Sequence, residues 1–327
     1  MKPSAVATAL ACCIKAKQPV IIWGAPGIGK SQVTQQTSAL LNRALLDVRA
    51  SLLDPVDLRG IPQVTASGLT RWCPPSFLPA ADAPASLILL DELNRAPVLT
   101  QNGLFQLVLD RALGEYHLPD NCEIVACCNR ESDGGGVQRM PQALANRFVH
   151  VDMEPDLEDW CKWAVVSGIE PAVIAFLRFR PDLLHQFSRT DKAFPTPRSW
   201  AFVSRITSEK PGNGIEHALY AGSVGEGAAV EYSAFLRMFR ELPSIDAILL
   251  NPQSAPVPNG PATLFAVASA LARRTTGVNF GRVLQYFARL PQEYGVYGVQ
   301  DAVRRDTTLT ATPDFTSWAV AHADVCF

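Results

Sequence analysis

Short runs of apolar residues alternate with helix-like segments through the first half of the chain. Five runs are apolar at every position rather than at alternate ones, which is typical of strands covered on both faces. They are PVIIWG (19–24), LLDVRA (45–50), SLILLDE (86–92), CEIVACCN (122–129) and FVHVDM (148–153). Helical patterns such as 31–43 and 97–112 separate them. This alternation predicts an α/β fold, a five-stranded parallel sheet between two layers of helices.

The pattern changes after Pro155, where strand-like runs stop. Helical periodicity predicts helices over 156–167, 171–180, 198–208, 214–221 and 227–241, and again over 262–274 and 280–290. Between the two groups, residues 251–261 hold four prolines in eleven positions, a composition typical of a linker. We therefore expect an αβα domain over 1–154, a helical domain over 155–250 and a linker with a helical extension over 251–327.

Composition narrows the classes of function. The chain has 327 residues, a net charge of −2 and a pI near 6.2, which disfavours a general affinity for nucleic acid or anionic membranes. Aliphatic stretches such as LILL are far shorter than the roughly 20 residues of a membrane helix. The N-terminal segment favours a helix over a signal peptide. The eight cysteines form no CxxC pair, which predicts free thiols in a reducing, cytoplasmic setting.

The stretch GAPGIGKS stands between the first strand and the following helix and fits the pattern GxxxxGK[ST]. Its glycines let backbone N–H groups converge on phosphate oxygens, and the helix N-terminus adds a partial positive charge. We assign Lys30 to the β- and γ-phosphates and Ser31 to Mg²⁺. A glycine turn without a ligand is the alternative, which the flanking elements disfavour. The predicted nucleotide-binding residues are Gly24, Ala25, Pro26, Gly27, Ile28, Gly29, Lys30, Ser31 and Gln32.

Two acids end the apolar strand SLILLDE. The carboxyl ends of parallel strands meet at one edge of a sheet, so Asp91 and Glu92 are expected beside the phosphate-binding loop. Asp91 fits a ligand of the magnesium shell, and Glu92 fits the base that polarises the attacking water. Capping of the next helix is the alternative and is compatible with either role.

Together GAPGIGKS, LILLDE and DELNRAP resemble the AAA+ ATPases, and specifically the MoxR-like branch of the dynein-related AAA subfamily. The segment DELNRAPVLTQNGLFQLVLDRAL is similar to that branch's Walker B strand and following helix. The resemblance covers residues of about 5–240. It implies a P-loop NTPase domain followed by an α-helical lid, with ATP and Mg²⁺ bound.

The resemblance also implies roles for polar residues outside the two Walker motifs. Asn129 ends CEIVACCN, the position of the sensor 1 residue, although Arg130 replaces the usual proline. Arg147, in MPQALANRF, matches an arginine that reaches the neighbouring subunit's γ-phosphate, although Asn146 replaces the common aspartate. The alternatives are a turn asparagine and a surface arginine that caps a helix.

Two further arginines are assigned in the same way. Arg95 lies three residues after Glu92 and is a second candidate for contact between subunits, with a salt bridge to a nearby acid as its alternative. Arg198, in AFPTPRSWAF, matches the sensor 2 arginine of the lid, with an exposed helix arginine as its alternative. The resemblance further places an inserted hairpin within 54–82 and a second hairpin at 114–121.

The resemblance implies a ring of subunits that hydrolyses ATP to remodel or activate a partner protein. For this family the expected ring is a hexamer. MoxR-like proteins commonly act with a von Willebrand factor A-domain protein, and the client is not identified by the sequence. A nucleic-acid motor or loader is the alternative, disfavoured because no basic stripe with interleaved aromatic residues is found. A GTP-using NTPase of the restriction type and a nucleotide switch without turnover also stay open, the last disfavoured by Glu92.

Overall fold

A computed structural model describes residues 1–133, 136–212, 214–240, 242 and 244–323. These residues form two compact units. The first comprises Met1–Trp160 together with Phe187–Asp191 and Thr196–Arg198, and the second comprises the remaining residues. The predicted divisions at residues 154 and 250 stay predictions.

Strands and helices alternate up to Asp152, and among the described residues only helices follow, as the apolar pattern predicts. The strands are β1 Val20–Trp23, β2 Ala44–Arg49, β3 Ile61–Val64, β4 Thr70–Cys73, β5 Ser86–Asp91, β6 Ala112–Leu113, β7 Tyr116–His117, β8 Cys122–Cys128 and β9 Val149–Asp152. The helices are α1 Pro3–Lys15, α2 Lys30–Leu40, α3 Pro55–Arg59, α4 Val98–Asp110, α5 Gln142–Ala145, α6 Leu157–Val166, α7 Pro171–Phe179, α8 Pro197–Ser208, α9 Glu216–Val224, α10 Glu226–Arg240, α11 Ile245–Leu250, α12 Pro261–Arg274, α13 Phe280–Phe287, α14 Gln292–Arg305 and α15 Pro313–Ala321.

The first unit is built on a five-stranded sheet with strand order β2-β5-β8-β1-β9, in which every pairing is parallel. All five predicted strands are confirmed. Successive residues of one strand enter different cores: Ile21 packs in one apolar cluster and Ile22 in another, and both are fully buried. Side chains alternate across a strand, so helices on both faces require apolar residues at every position.

The strand order decides where the site forms. β8 lies between β5 and β1, so the residues after these three strands are neighbours at the carboxyl edge of the sheet. The phosphate-binding loop follows β1, Asp91 ends β5 and Asn129 follows β8. A crossover between non-consecutive strands is the usual ligand position in open parallel sheets.

Both predicted hairpins are present in the first unit. β3 pairs antiparallel with β4 within residues 54–82. β6, which directly precedes residues 114–121, pairs antiparallel with β7, which lies within them. All four residues of β3 are exposed, and the Arg59 guanidinium lies 5.4 Å from the centroid of the Trp72 ring. Phe77, which follows this hairpin, packs against the core of the sheet.

Seven of the eight cysteines lie within the described residues, and all seven are free. Cys122, Cys127, Cys128 and Cys161 are buried, whereas Cys12 and Cys73 are exposed. Burial raises the pKa of the Cys128 thiol to about 12, so this thiol is protonated at neutral pH. Cys326 lies outside the described residues. Among the residues that are described, none of the helices is both long and apolar enough for a membrane span.

The second unit contains helices without a strand among its described residues. Its proline-rich segment is tied to the helices, because the carbonyls of Pro252 and Pro256 accept hydrogen bonds from Arg289 (2.6 Å) and Tyr286 (2.8 Å). Residues 251–261 therefore pack within the unit.

A buried ion pair links two helices of the second unit. Arg178 Nη1 on α7 lies 2.7 Å from Asp301 Oδ1 on α14, and Arg305 Nε lies 3.1 Å from the other carboxylate oxygen. Burial lowers the pKa of Arg178, but Tyr297 and Asp301 outweigh this effect and hold the pKa above its usual value. The Arg178 guanidinium is therefore charged, and these partners offset the cost of burying its charge.

Replacing Asp301 with alanine is expected to lower the free energy of unfolding by about 3–5 kcal/mol, because a buried guanidinium loses its counter-charge. Urea unfolding followed by circular dichroism measures the change. Asp246→Ala is the matched control: its salt bridge with Arg274 spans 2.7 Å, but the two side chains are 69% and 58% exposed. We expect that control to lose less than about 1 kcal/mol. Equal losses in both variants would contradict the assigned role of the buried pair.

Candidate functional site

The phosphate-binding loop connects β1 to α2 through residues 24–29. Gly29 caps α2 with φ 100°, a left-handed conformation that favours glycine, and leaves the N–H groups of the first helical turn open. Gly24 is needed for space, because a Cβ there would lie 2.7 Å from the Met153 carbonyl oxygen. The loop therefore has the backbone form in which helix N–H groups face an anion.

The Lys30 ammonium is held beside the sensor position. It donates hydrogen bonds to the carbonyl oxygens of Gly24 (2.8 Å) and Ala25 (2.9 Å) and to Asn129 Oδ1 (2.8 Å). Burial lowers the pKa of Lys30, and the charge of Asp91 offsets part of the effect. The structure thus brings together Lys30 and Asn129, which are 99 residues apart in sequence.

Ser31 and Asp91 bring two oxygen ligands together. The Ser31 hydroxyl donates a hydrogen bond to Asp91 Oδ2 at 2.9 Å. The other carboxylate oxygen accepts the Glu92 backbone N–H at 3.0 Å, which fixes the carboxylate plane. Hydroxyl and carboxylate oxygens are ligands that Mg²⁺ prefers.

Glu92 lies in a strained position. Its φ is 54°, a left-handed conformation that is uncommon outside glycine and clusters at functional sites. The Ser51 hydroxyl donates to one carboxylate oxygen at 2.9 Å, and Arg95 Nη1 lies 2.9 Å from the other. Within the chain Arg95 thus forms the salt bridge that was its alternative role. Ser51 was not identified from the sequence, although its place directly after β2 puts it at the same sheet edge.

Asn94 was also not identified from the sequence. Its side chain is 1% exposed, and its Nδ2 donates to the Asn129 carbonyl at 2.7 Å. It thereby joins the loop after β5 to the loop after β8. Arg130, where the family has proline, has its own partners: its guanidinium lies 2.5 Å from Glu154 and 3.4 Å from Asp152. The loop after β8 is therefore anchored by an ion pair.

The remaining predicted residues lie outside this group of contacts. Arg147 follows α5 and is exposed, and among the described residues its side chain has no hydrogen-bond or ion-pair partner. Arg198 has an exposed side chain at the start of α8, and its backbone N–H donates to the Gly27 carbonyl at 3.1 Å. Arg198, which belongs to the first unit, thus contacts the phosphate-binding loop through its backbone.

The residues present fit a magnesium nucleotide. The loop supplies helix N–H groups and one buried ammonium, and Ser31 and Asp91 supply adjacent oxygens. Asn94 Oδ1 is buried and has no hydrogen-bond partner among the described residues. Residues 19–148 match the AAA domain of the dynein-related subfamily. This match covers less than half of the chain and shows that residues 19–148 are similar to an AAA+ domain. AAA+ domains are ATPase domains that bind ATP, typically with Mg²⁺. The match agrees with the resemblance to AAA+ ATPases drawn from GAPGIGKS and LILLDE, and the roles of individual residues stay predictions.

Two curated relatives match part of the chain. The chain is 31% identical to Midasin of Giardia intestinalis over 180 residues. This alignment covers 51% of the chain and 4% of that protein. It is 30% identical over 145 residues to Midasin of Dictyostelium discoideum, which covers 40% of the chain and 2% of that protein. The chain thus spans only a few per cent of the length of these relatives.

Solved structures align with the chain at low identity. A RuvB mutant of Thermotoga maritima aligns over 82% of the chain and 81% of its own chain, with 15% identity and a TM-score of 0.43. The ADP complex of NtrX from Brucella abortus aligns over 98% and 67%, with 14% identity and a TM-score of 0.43. Identities and TM-scores this low do not indicate a function.

Proposed function

We propose that the chain is a MoxR-like AAA+ ATPase that hydrolyses ATP in a ring and uses the energy to remodel or activate a partner protein. The observation that supports hydrolysis is the meeting of three motifs at one sheet edge. Lys30 contacts Asn129, Ser31 contacts Asp91, and Glu92 follows directly.

The roles follow from the chemistry of each side chain. Bound Mg²⁺ neutralises charge on the phosphates, and Ser31 with Asp91 would hold it. Lys30 and the loop N–H groups bind the phosphates, Asn129 orients groups beside them, and Glu92 accepts the proton of the attacking water. The exposed guanidinium of Arg147 is assigned to a neighbouring subunit, and that of Arg198 to the chain's own nucleotide.

The proposal of a protein client rests on the MoxR-like motif DELNRAP and on the hairpin β3–β4. An isolated two-stranded ribbon is only marginally stable in water. In this hairpin the side chains of Ile61, Val64 and Leu69 are each at least 69% exposed, which leaves apolar surface for a client protein to contact. A von Willebrand factor A-domain protein is the partner that the resemblance suggests, and a hexamer is the corresponding assembly. Co-purification of such a protein with the tagged chain tests this part.

Lys30→Ala is expected to abolish ATP binding or nearly so, because the triphosphate loses its nearest cation while the backbone loop is kept. Isothermal titration calorimetry with ATP and Mg²⁺ measures the affinity. Lys15→Ala, at an exposed lysine that ends α1, is the matched control and should bind ATP as wild type does. Unchanged affinity in Lys30→Ala would refute the nucleotide site.

Arg198→Ala is expected to lower kcat by about 10- to 100-fold, the effect of losing one charge-assisted hydrogen bond of about 1.5–3 kcal/mol. Arg198→Lys keeps the charge but loses the planar fork, so its rate should lie between the two. Phosphate release at saturating ATP gives the rates. A wild-type rate in Arg198→Ala would remove this arginine from the site.

A further inference from the structure

His150 on β9 joins two parts of the first unit that the site uses. Its Nδ1 lies 2.9 Å from Trp23 Nε1, and the two rings stack with their centroids 5.9 Å apart and their planes 9° apart. Its Nε2 lies 2.8 Å from the Ala145 carbonyl oxygen. Trp23 ends β1 directly before Gly24, and Ala145 ends α5 two residues before Arg147. One imidazole therefore connects the start of the phosphate-binding loop to the turn that carries Arg147.

The proton positions on this ring follow from its partners. An indole N–H can only donate, so Nδ1 of His150 accepts and carries no proton. The proton of the neutral ring is then on Nε2, where it donates to the Ala145 carbonyl. The same carbonyl accepts the Phe148 backbone N–H at 3.2 Å. Two donors that follow Arg147 along the chain thus meet a single oxygen that precedes it, and they close the turn.

The turn needs such a restraint because its helix is short. α5 has four residues, Gln142–Ala145, which is too few for a helix to be stable by itself. Gln142, Asn146 and His150 also line an open surface cavity of about 580 Å³, so packing on this side of the turn is incomplete. A guanidinium that acts on a reacting phosphate must be held closely, since a displacement of about 1 Å can cost 10²-fold in rate.

We propose that His150 is a positioning residue for Arg147. Through its hydrogen bond to Ala145 it holds the turn from which Arg147 extends, and through Trp23 it ties this turn to the end of β1. The proposal rests on the proposed function, in which Arg147 serves the ATP site of the neighbouring subunit.

The test measures how well one subunit delivers Arg147 to another. Arg147→Ala keeps its phosphate-binding loop and acts as the acceptor, while Lys30→Ala keeps Arg147 and acts as the donor. Activity in a mixture of the two then depends on Arg147 of the donor. Adding His150→Phe to the donor keeps a ring beside Trp23 but removes both hydrogen bonds. We expect kcat of the mixture to fall about 10- to 100-fold with an unchanged KM for ATP, because the acceptor's site is intact.

The second unit offers a matched control. His322 stacks on Trp318 with centroids 4.9 Å apart, and its Nδ1 lies 2.9 Å from a backbone carbonyl oxygen, that of Trp318. A Lys30→Ala donor that also carries His322→Phe should activate the acceptor as well as Lys30→Ala alone. A donor with His150→Gln, which keeps a side-chain donor and acceptor, should recover part of the lost rate.

Each other outcome has a distinct meaning. Equal kcat with and without His150→Phe would overturn the positioning role. A His150→Phe donor that no longer enters rings in analytical ultracentrifugation would assign His150 to assembly and would also overturn it. If the simple Lys30→Ala donor gives no activity with the acceptor, the trans role of Arg147 fails, and this inference fails with it.

Discussion

Glu92→Gln is expected to bind ATP with near wild-type affinity and to hydrolyse it about 10²- to 10⁴-fold more slowly. The amide keeps the size of the side chain and leaves Ser31, Asp91 and Lys30 in place, so the binding groups are unchanged. It cannot accept a proton from water, and this loss accounts for the slower turnover. Calorimetry gives the affinity, and phosphate release gives the rate.

The contacts of Glu92 make a control necessary. Ser51 and Arg95 each bind one of its carboxylate oxygens, and glutamine loses the charge that Arg95 pairs with. Arg95→Ala removes the same ion pair but keeps the Glu92 carboxylate. If the hydrolysis rate falls fully in Glu92→Gln and less in Arg95→Ala, the loss of rate is due to the missing proton acceptor. Glu209→Gln, an exposed acid of the second unit, should be silent. Hydrolysis at the wild-type rate in Glu92→Gln would exclude this residue from the mechanism.

The sheet could be predicted because its signal is local. Each of the five strands is an uninterrupted apolar run, and the phosphate-binding loop and the acids at Asp91 and Glu92 directly follow two of them. Parallel strands of this kind place their carboxyl ends together, so motifs far apart in sequence could be assigned to one site. The contact between Lys30 and Asn129 at 2.8 Å is the direct consequence.

Helix α14 could not be predicted because its signal is not local. It contains Gly295 and Gly298, which lower helix propensity by about 1 kcal/mol each. A Cβ at Gly298 would lie 2.4 Å from the Phe287 ring, and one at Gly295 would lie 3.0 Å from the Phe287 carbonyl oxygen. The glycines therefore allow α14 to pack closely against α13. Tertiary packing overrides propensity here, and a single sequence does not reveal the partner.

The partners of the predicted catalytic side chains were missed for a related reason. Ser51 and Asn94 contact Glu92 and Asn129 only because neighbouring strands are in a particular register, with Arg49 opposite Asp91 and Asp91 opposite Cys127. The sequence places polar residues at the sheet edge but does not say which pairs face each other.

Arg147→Ala is expected to bind ATP normally and to lose about 10³- to 10⁵-fold in kcat, which corresponds to about 4–7 kcal/mol of transition-state stabilisation. The reason is that the Arg147 guanidinium is exposed and has no partner among the described residues, so in the proposed ring it is available to the γ-phosphate site of a neighbour. Arg273→Ala is the matched control, since Arg273 is also exposed and near the end of a helix, α12 of the second unit. It should hydrolyse ATP at the wild-type rate.

Assembly provides the independent measurement. If Arg147 acts between subunits, wild-type protein should show a specific activity that rises with concentration as rings form, while ATP affinity stays constant. Arg147→Ala should show a flat, low activity over the same range, and adding the Lys30→Ala protein should restore part of it. A dilute wild-type monomer that hydrolyses ATP at the full rate would show that every catalytic group lies within one chain, and Arg147 would then have no role in trans.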